Sequence, residues 1–322
     1  NNSSAAPAWS DNPALCIRDY LTSTGYGLGE LSANIDDTLF STAATVCDET
    51  GTDAGTARYT MNGAFTTAAT PVDFLQDAIT SMGATLWYNQ GSWKVKAAKF
   101  VAASVNFDEN DLRSGINLAT RNSRRDNFNT VRGTFRGEES NYQVTDFPPV
   151  TNSTLATALV TGASYTITSL DDGAGGATTD FTLVGATSNT VGLFFTADLS
   201  GGAATGTGKV NAFVGADGGQ ETSIDFDLSF TDNSIEARRI ARIVLERNRQ
   251  QLTVEASFGL RALQVQTGDT ITLTNTRLGW SSKEFEVMSW SFGSVDQYDL
   301  QIDMVLREIS ASVFDEVDDG IV

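Results

Sequence analysis

The sequence predicts an α+β chain, mostly β, with a split β-barrel domain, an α+β unit and a small all-β insertion. Three observations predict it. Up to residue 100, short runs of apolar residues at helical spacing alternate with strand-like segments. From Val101 onward the alternation is of period two, broken mainly by the pattern at Ser234 to Arg249. Between Arg136 and Arg238 the only basic residue is Lys209, in a stretch dominated by Gly, Ala, Thr and Asp.

The earliest segments read as two helices. Asn1 to Ser10 is small and polar, a linker or an end, and the opening Asn in place of Met fits a portion of a longer polypeptide. Asn12-Pro13 reads as N-cap and first helical residue of a helix that stops near Gly25. A second helix is expected from about Asp36 to Cys47, with Leu39, Phe40, Ala43 and Val46 inward and Asn34 and Asp37 at capping-box spacing. Thr50 to Ala57 is a polar loop, so residues 1–57 form an N-terminal helical segment.

Residues 58–100 read as strand, helix, hairpin. Arg58 to Met61 alternates like a strand. Thr70-Pro71 opens a helix with Phe74, Leu75, Ala78, Ile79 and Met82 inward and Gly83 as its stop. Thr85 to Tyr88 and Trp93 to Ala97 are strands joined across Asn89-Gln-Gly91, with Trp87 and Trp93 as hairpin core in preference to a sugar-binding platform.

Residues 101–150 and 222–310 are expected to form the discontinuous β-barrel, with strands at 116–120, 129–136, 252–258, 270–274, 285–291 and 299–306. The inserted module, 151–221, should hold short strands at Tyr165 to Ile167, Phe181 to Val184, Val191 to Phe195 and Lys209 to Phe213. Residues 311–322 form an acidic tail. The helix at 234–249 carries its own signals: Asn233 as cap, Glu236 at capping-box distance, and Ile235, Ala237, Ile240, Ala241 and Val244 as one apolar face. Arg238, Arg239, Arg242, Arg247 and Arg249 cover the rest.

Composition restricts the chemistry. The 322 residues point to two or three domains, and 40% hydrophobic residues are ample for folded cores. A net charge of −19 repels nucleic acid and anionic membrane surfaces, so neither is an expected partner. There is no histidine, which removes Ser-His-Asp and Cys-His catalysis and His-ligated zinc. Two cysteines, Cys16 and Cys47, sit on apolar helical patterns and read as buried thiols in preference to a disulfide. No apolar run reaches the ~20 residues of a membrane span, and no signal peptide is recognised at the start.

Asp108-Glu-Asn-Asp111 and Asp171-Asp172 lack the spacing of a calcium loop and read as solvated turns. Gly173, Gly175 and Gly176 are not followed by the lysine and helix of a phosphate loop. A glycosidase needs only two carboxylates, yet nothing nominates a pair. No catalytic, metal or cofactor site is therefore expected. The arginines of 238–249, and a second group at Arg121, Arg124, Arg125, Arg132 and Arg136, fit fork pairing with carboxylates of the same domain or of neighbouring subunits. Plain solvation and a nucleic-acid track are the weaker readings.

The ordered series Asn12-Pro-Ala-Leu15, Arg18-Asp-Tyr-Leu21, Tyr26-Gly-Leu-Gly29, Ile35-Asp36, Ala43-Ala44, Cys47-Asp-Glu49 and Tyr59-Thr-Met-Asn-Gly63 resembles the central tail-tip (host-specificity) proteins of long-tailed bacteriophages. It continues through Trp93-Lys-Val95, Arg125-Asp-Asn-Phe-Asn-Thr-Val131, Ala237-Arg-Arg-Ile-Ala241 and Gly268-Asp-Thr-Ile271. The segment with Gly162, Tyr165, Ile167, Thr179-Asp-Phe-Thr182, Gly185-Ala186, Asn189, Val191-Gly192 and Phe195-Thr-Ala197 resembles a small module of phage tail proteins.

The resemblance implies a non-enzymatic, baseplate-hub-like virion component. It implies a homotrimer around the tail axis that closes the tail tube, meets distal tail and tape-measure proteins, and supports receptor-binding tail proteins. Its location would be the tail tip, and the host cytoplasm during assembly. In that setting the five helix arginines are subunit-interface candidates. The alternative is a carbohydrate-binding or polysaccharide-degrading tail protein, suggested by five tryptophans and abundant carboxylates. A secreted β-rich adhesin fragment is a third reading.

Overall fold

The computed structural model describes residues 9–50, 56–121, 123, 126–173, 175–296 and 299–314. Among them the chain forms two compact units, one from residues 9–126, 135–144 and 228–314 and one from residues 127–134 and 145–227. The mixed α+β class is as the sequence predicts. Residues 1–8 of the polar start, the 51–55 part of the loop, Arg124, Arg125 and the acidic tail from 315 lie outside the described residues.

The first unit opens with helices α1 (Pro13–Thr22) and α2 (Asp37–Cys47). Asn12 caps α1 by accepting from the amides of Ala14 and Leu15. Its Nδ2 then donates to Ala44 O at 2.9 Å and Asp48 Oδ1 at 2.8 Å, so one buried side chain starts one helix and holds the end of the next. The cap of α2 is Asp36, not Asn34, because Ser32–Asn34 forms its own 3-10 turn. Both cysteines are free, Cys47 buried and Cys16 partly so.

Arg58 to Met61 is not a strand. Its amides go instead to separate acceptors: Arg58 to Glu49 O, Tyr59 to Cys47 O and Met61 to Asp11 O. An extended backbone can satisfy its donors on helix ends and loops as well as on a ladder. Helix α3 (Pro71–Thr80) follows, capped by Thr70, and then β1 (Thr85–Asn89) and β2 (Ser92–Lys96). Gln90 and Gly91, at φ 54° and 81°, make the two-residue turn whose left-handed backbone matches the strand twist.

The remainder of this unit is a six-stranded sheet. Its order is β3 (Val105–Phe107), β13 (Thr270–Asn275), β14 (Trp280–Asp296), β15 (Asp299–Glu308), β12 (Thr253–Phe258) and β4 (Asn117–Ala119). Only β3 with β13 is parallel. Phe107, Val254, Phe258, Ile271, Leu273, Phe285, Ile302, Met304 and Leu306 fill its core. The expected barrel does not close within the chain: among the described residues, the edge strands β3 and β4 are three residues long and do not pair with each other. Helix α5 (Ser234–Arg249) also belongs to this unit.

In the second unit, β11 (Ser223–Asp227), β5 (Thr130–Phe135, all but its last residue) and β6 (Thr145–Thr151) make a three-stranded sheet, β11 running parallel to β5. This pairing draws residues flanking 151–221 into the unit and away from the expected barrel. A four-stranded sheet has the order β7 (Ser153–Leu155), β10 (Lys209–Asn211), β8 (Ser164–Ser169) and β9 (Phe194–Thr196). Tyr165, Ile167, Phe181, Val184, Phe195 and Val210 form its core.

One expected strand, and the last two residues of another, are turns of helix. Phe181–Val184 is a 3-10 turn, begun by Asp180 accepting from Thr182 N and ended by Gly185 at φ 103°. After β10, Asn211 accepts from Val214 N and caps α4 (Ala212–Ala216). Gly215 lets α4 lie directly on β8, since a Cβ there would meet Ser164 O at 2.3 Å. Gly215→Ala is expected to lower the stability of this unit by about 1–3 kcal/mol, read as faster hydrogen exchange of the β8 and β10 amides.

Candidate functional site

Helix α5 is the element on which the candidate residues sit. Asn233 caps it, accepting from Ile235 N at 2.8 Å. A capping box would send Glu236 back to the Asn233 amide. Instead its carboxyl turns into the protein, where Oε1 accepts from Thr60 N at 2.9 Å and Oε2 bonds the Thr60 hydroxyl at 2.8 Å. Glu236 is 2% exposed. Burial pushes its pKa up to about 8; the bonds from Thr60 and the charge of Arg239 oppose the shift, and Asp232 adds to it. Near neutral pH the group is therefore mostly protonated, and a neutral carboxyl can both donate to and accept from threonine.

The neighbouring bonds join the same segments. Arg239 Nη1 donates to Arg58 O at 2.7 Å, Asn62 N donates to Phe230 O at 2.8 Å, and Asn62 Nδ2 donates to Asp232 Oδ2 at 2.9 Å. The 58–62 segment is thus stitched to α5 and the turn before it. Tyr59, 1% exposed, donates its hydroxyl to Ala98 O at 2.8 Å. Arg58 lies 3.4 Å from Glu49, which also pairs with Lys99.

All five α5 arginines are partly buried. Arg239 holds Arg58 O; Arg242 lies 3.8 Å from Glu246; Arg247 lies 3.8 Å from Glu286 and 5.4 Å from the Phe314 ring centroid. Arg307 closes the helix end, donating to Arg247 O at 2.6 Å and Gln250 O at 3.3 Å. Arg238 and Arg249 are held at similar depth on the same helix. The apolar face differs from the expected one. Ile235 is exposed, whereas Ile243 and Leu245 are buried with Ala237, Ile240 and Ala241. The helix is covered on more than one side, which a single-face pattern does not anticipate.

The described members of the second basic group fall in both units. Arg132 pairs with Glu221 at 2.7 Å in the second unit, while Arg121 and Arg136 are exposed residues of the first. Asp108 and Asp111 build a reciprocal capping box, and Arg261 lies 2.7 Å from Asp111. Among the described residues no group of three or more acidic or cysteine side chains is placed to hold a metal ion. Four tryptophans have defined neighbours: Trp87 lies over Gly268, Trp93 against Tyr88, Trp280 against Phe285, and Trp290 Nε1 donates to Ala262 O. Trp9 is exposed. Glu236 is the residue that sequence reasoning missed, because its spacing from Asn233 has an ordinary capping explanation.

No protein-family profile matches the chain, and neither does any curated protein. Among solved structures, the fold is similar to a chain of the virion of a native gene transfer agent particle, at 14% identity and TM-score 0.45, over 80% of this chain and 43% of that one. It is also similar to a tail protein from Neisseria meningitidis MC58, at 10% identity and TM-score 0.45, over 81% and 61%. A third is the prophage MuSo2 43 kDa tail protein from Shewanella oneidensis, at 12% identity and TM-score 0.39, over 79% and 57%. The chain spans about half the length of these matched chains.

A carboxyl whose folded pKa is raised contributes stability that is fully present below its unfolded value and lost as pH rises through the folded one. For Glu236 that window runs from about 4.5 to about 8. Glu236→Gln keeps an acceptor for Thr60 N and a donor for its hydroxyl but removes the titration. Chemical denaturation is expected to show the variant gaining on the parent between pH 5 and pH 8.5, by on the order of a few kcal/mol. A constant difference across that range would contradict the assignment.

Proposed function

We propose that this chain is a structural component of a phage-type tail, a hub at the tail tip that assembles as a homotrimer, closes the tube and carries host-attachment parts. The observation that supports this reading is where the tail-tip-like segments fall. Asn12, Cys47-Asp-Glu49, Tyr59 to Gly63 and Ala237 to Ala241 are distant in sequence, yet they share one bonded network around α5. The sequence pattern is therefore a pattern of mutually dependent contacts.

In this reading the hub is built from open sheets of several copies, since the six-stranded sheet does not close in one chain. The acidic surface suits a protein held at high local concentration, and arginine forks on α5 supply the contacts between copies. Tape-measure, distal tail and receptor-binding proteins are the partners of such a hub.

The reading is tested by mass measurement in solution and by locating the chain in a reconstructed tail tip. A mass three times that of one chain and density on the tail axis are expected; a stable monomer away from the axis overturns it. Replacing Arg238 and Arg242 with Glu is expected to raise the trimer dissociation constant at least ~10-fold. Because the Arg242 side chain is only 14% exposed and lies beside Glu246, its replacement also lowers stability within one chain, so folding of the single chain is measured beside assembly for each variant. Equal losses in assembly and folding would count against a role for these residues between copies.

A further inference from the structure

The first unit holds a cavity of about 790 Å³ that opens beside the α5 network and shares Asn62, Phe230 and Asp232 with it. It is lined by the 62–66 loop, by Asp73, Phe74 and Asp77 of α3, by Arg136 and Tyr142, and by Phe230 and Asp232. Its floor is aromatic: Phe74 stands 4.3 Å from Phe65 and 5.7 Å from Phe230, centroid to centroid. Phe74 and Phe230 are buried, but Phe65 is 38% exposed and Tyr142 57% exposed. Gly63 runs so close to Phe230 that a Cβ there would meet the ring at 2.6 Å, so the loop is held down against the aromatic floor.

Charge on the walls is one-sided. Asp73, Asp77 and Asp232 face a single basic lining residue, Arg136. Asp73 and Asp77 are exposed and one helical turn apart, which puts two like charges side by side on a helix that contains no basic residue. Partly exposed rings beside carboxylates suit a flat cation. A guanidinium stacks on an aromatic face and forks its donors to carboxylates, which an ammonium does less well; a neutral sugar can stack and hydrogen-bond there but brings no charge to offset the carboxylates.

We propose that this cavity receives an arginine side chain from a partner protein, with the guanidinium between Asp73 and Asp77 and its face on Phe65. An aliphatic neighbour of that arginine lies toward Phe230. The site is independent of the tail-tip reading, since it requires a basic partner segment and no particular symmetry.

The test is an NMR titration of the full chain, carrying ring-labelled phenylalanine, with the blocked peptide acetyl-Leu-Arg-Leu-amide. The same peptide with citrulline replacing arginine, and maltotriose, serve as competing chemistries. Saturable shifts of the Phe65 ring are expected with the arginine peptide. The affinity should fall at least ~5-fold in 0.5 M salt, as the Debye length shrinks below that at physiological ionic strength. It should also fall at least ~5-fold in Asp73→Asn/Asp77→Asn, whose side chains keep their size. Phe65→Ser, at an exposed position, should weaken binding with the fold intact by circular dichroism, the shifts then being read on Phe230. No saturable shift with the arginine peptide, equal binding of the citrulline peptide or of maltotriose, or unchanged affinity in the folded variants would overturn the proposal.

Discussion

A carboxyl closed off from water, accepting from both the amide and the hydroxyl of Thr60, is the contact on which the first unit depends. Glu236 sits in the first turn of α5, and Thr60 lies in a segment with no ladder of its own. Leaving a buried acceptor or donor without its partner costs about 1–3 kcal/mol, so neither side can move away alone. Arg239 and Asn62 repeat the arrangement on either side, and Tyr59 extends it to Ala98. Asn12 plays the same part further out, joining α1 to α2. The helices and the extended segment are thus tied by side-chain-to-backbone bonds more than by sheet pairing.

Much of this could be read from local signals. Asn12-Pro13, Thr70-Pro71 and Asn233 mark helix starts because their short side chains accept from the first free amides, a requirement internal to the helix. The hairpin at Gln90-Gly91 and the alternation of β15 are equally local. What escaped was decided by distant partners. Arg58 to Met61 alternates as a strand would, but no neighbouring strand takes its amides. Phe181 to Val184 and Ala212-Phe213 are apolar enough for strands, yet Asp180 and Asn211 cap them as helical turns.

The candidate site was half legible. The arginines of α5 were visible as an anomaly in an acidic chain, and three of them have partners in the same unit, Arg239, Arg242 and Arg247. Glu236 was visible only as a capping residue, since nothing local separates a carboxyl that turns back to its own helix from one that turns inward. The barrel expectation assumed that all strands flanking 151–221 belong to one sheet. The parallel pairing of β11 with β5 divides them instead, and among the described residues the six-stranded sheet stays open. For a hub built from several copies, unclosed edges and an acidic surface are consistent demands, one leaving backbone groups at the periphery and the other discouraging unspecific association.

The central claim is that α5 holds the 58–62 segment through Glu236. Residue-resolved hydrogen exchange on Glu236→Ala tests it most directly. The account predicts that the amides of Tyr59 to Asn62 lose protection by at least ~10-fold, the equivalent of ~1.4 kcal/mol, while those of β14 and β15 keep theirs. Unchanged protection at Thr60, or an equal loss across the β14–β15 pair, would contradict it.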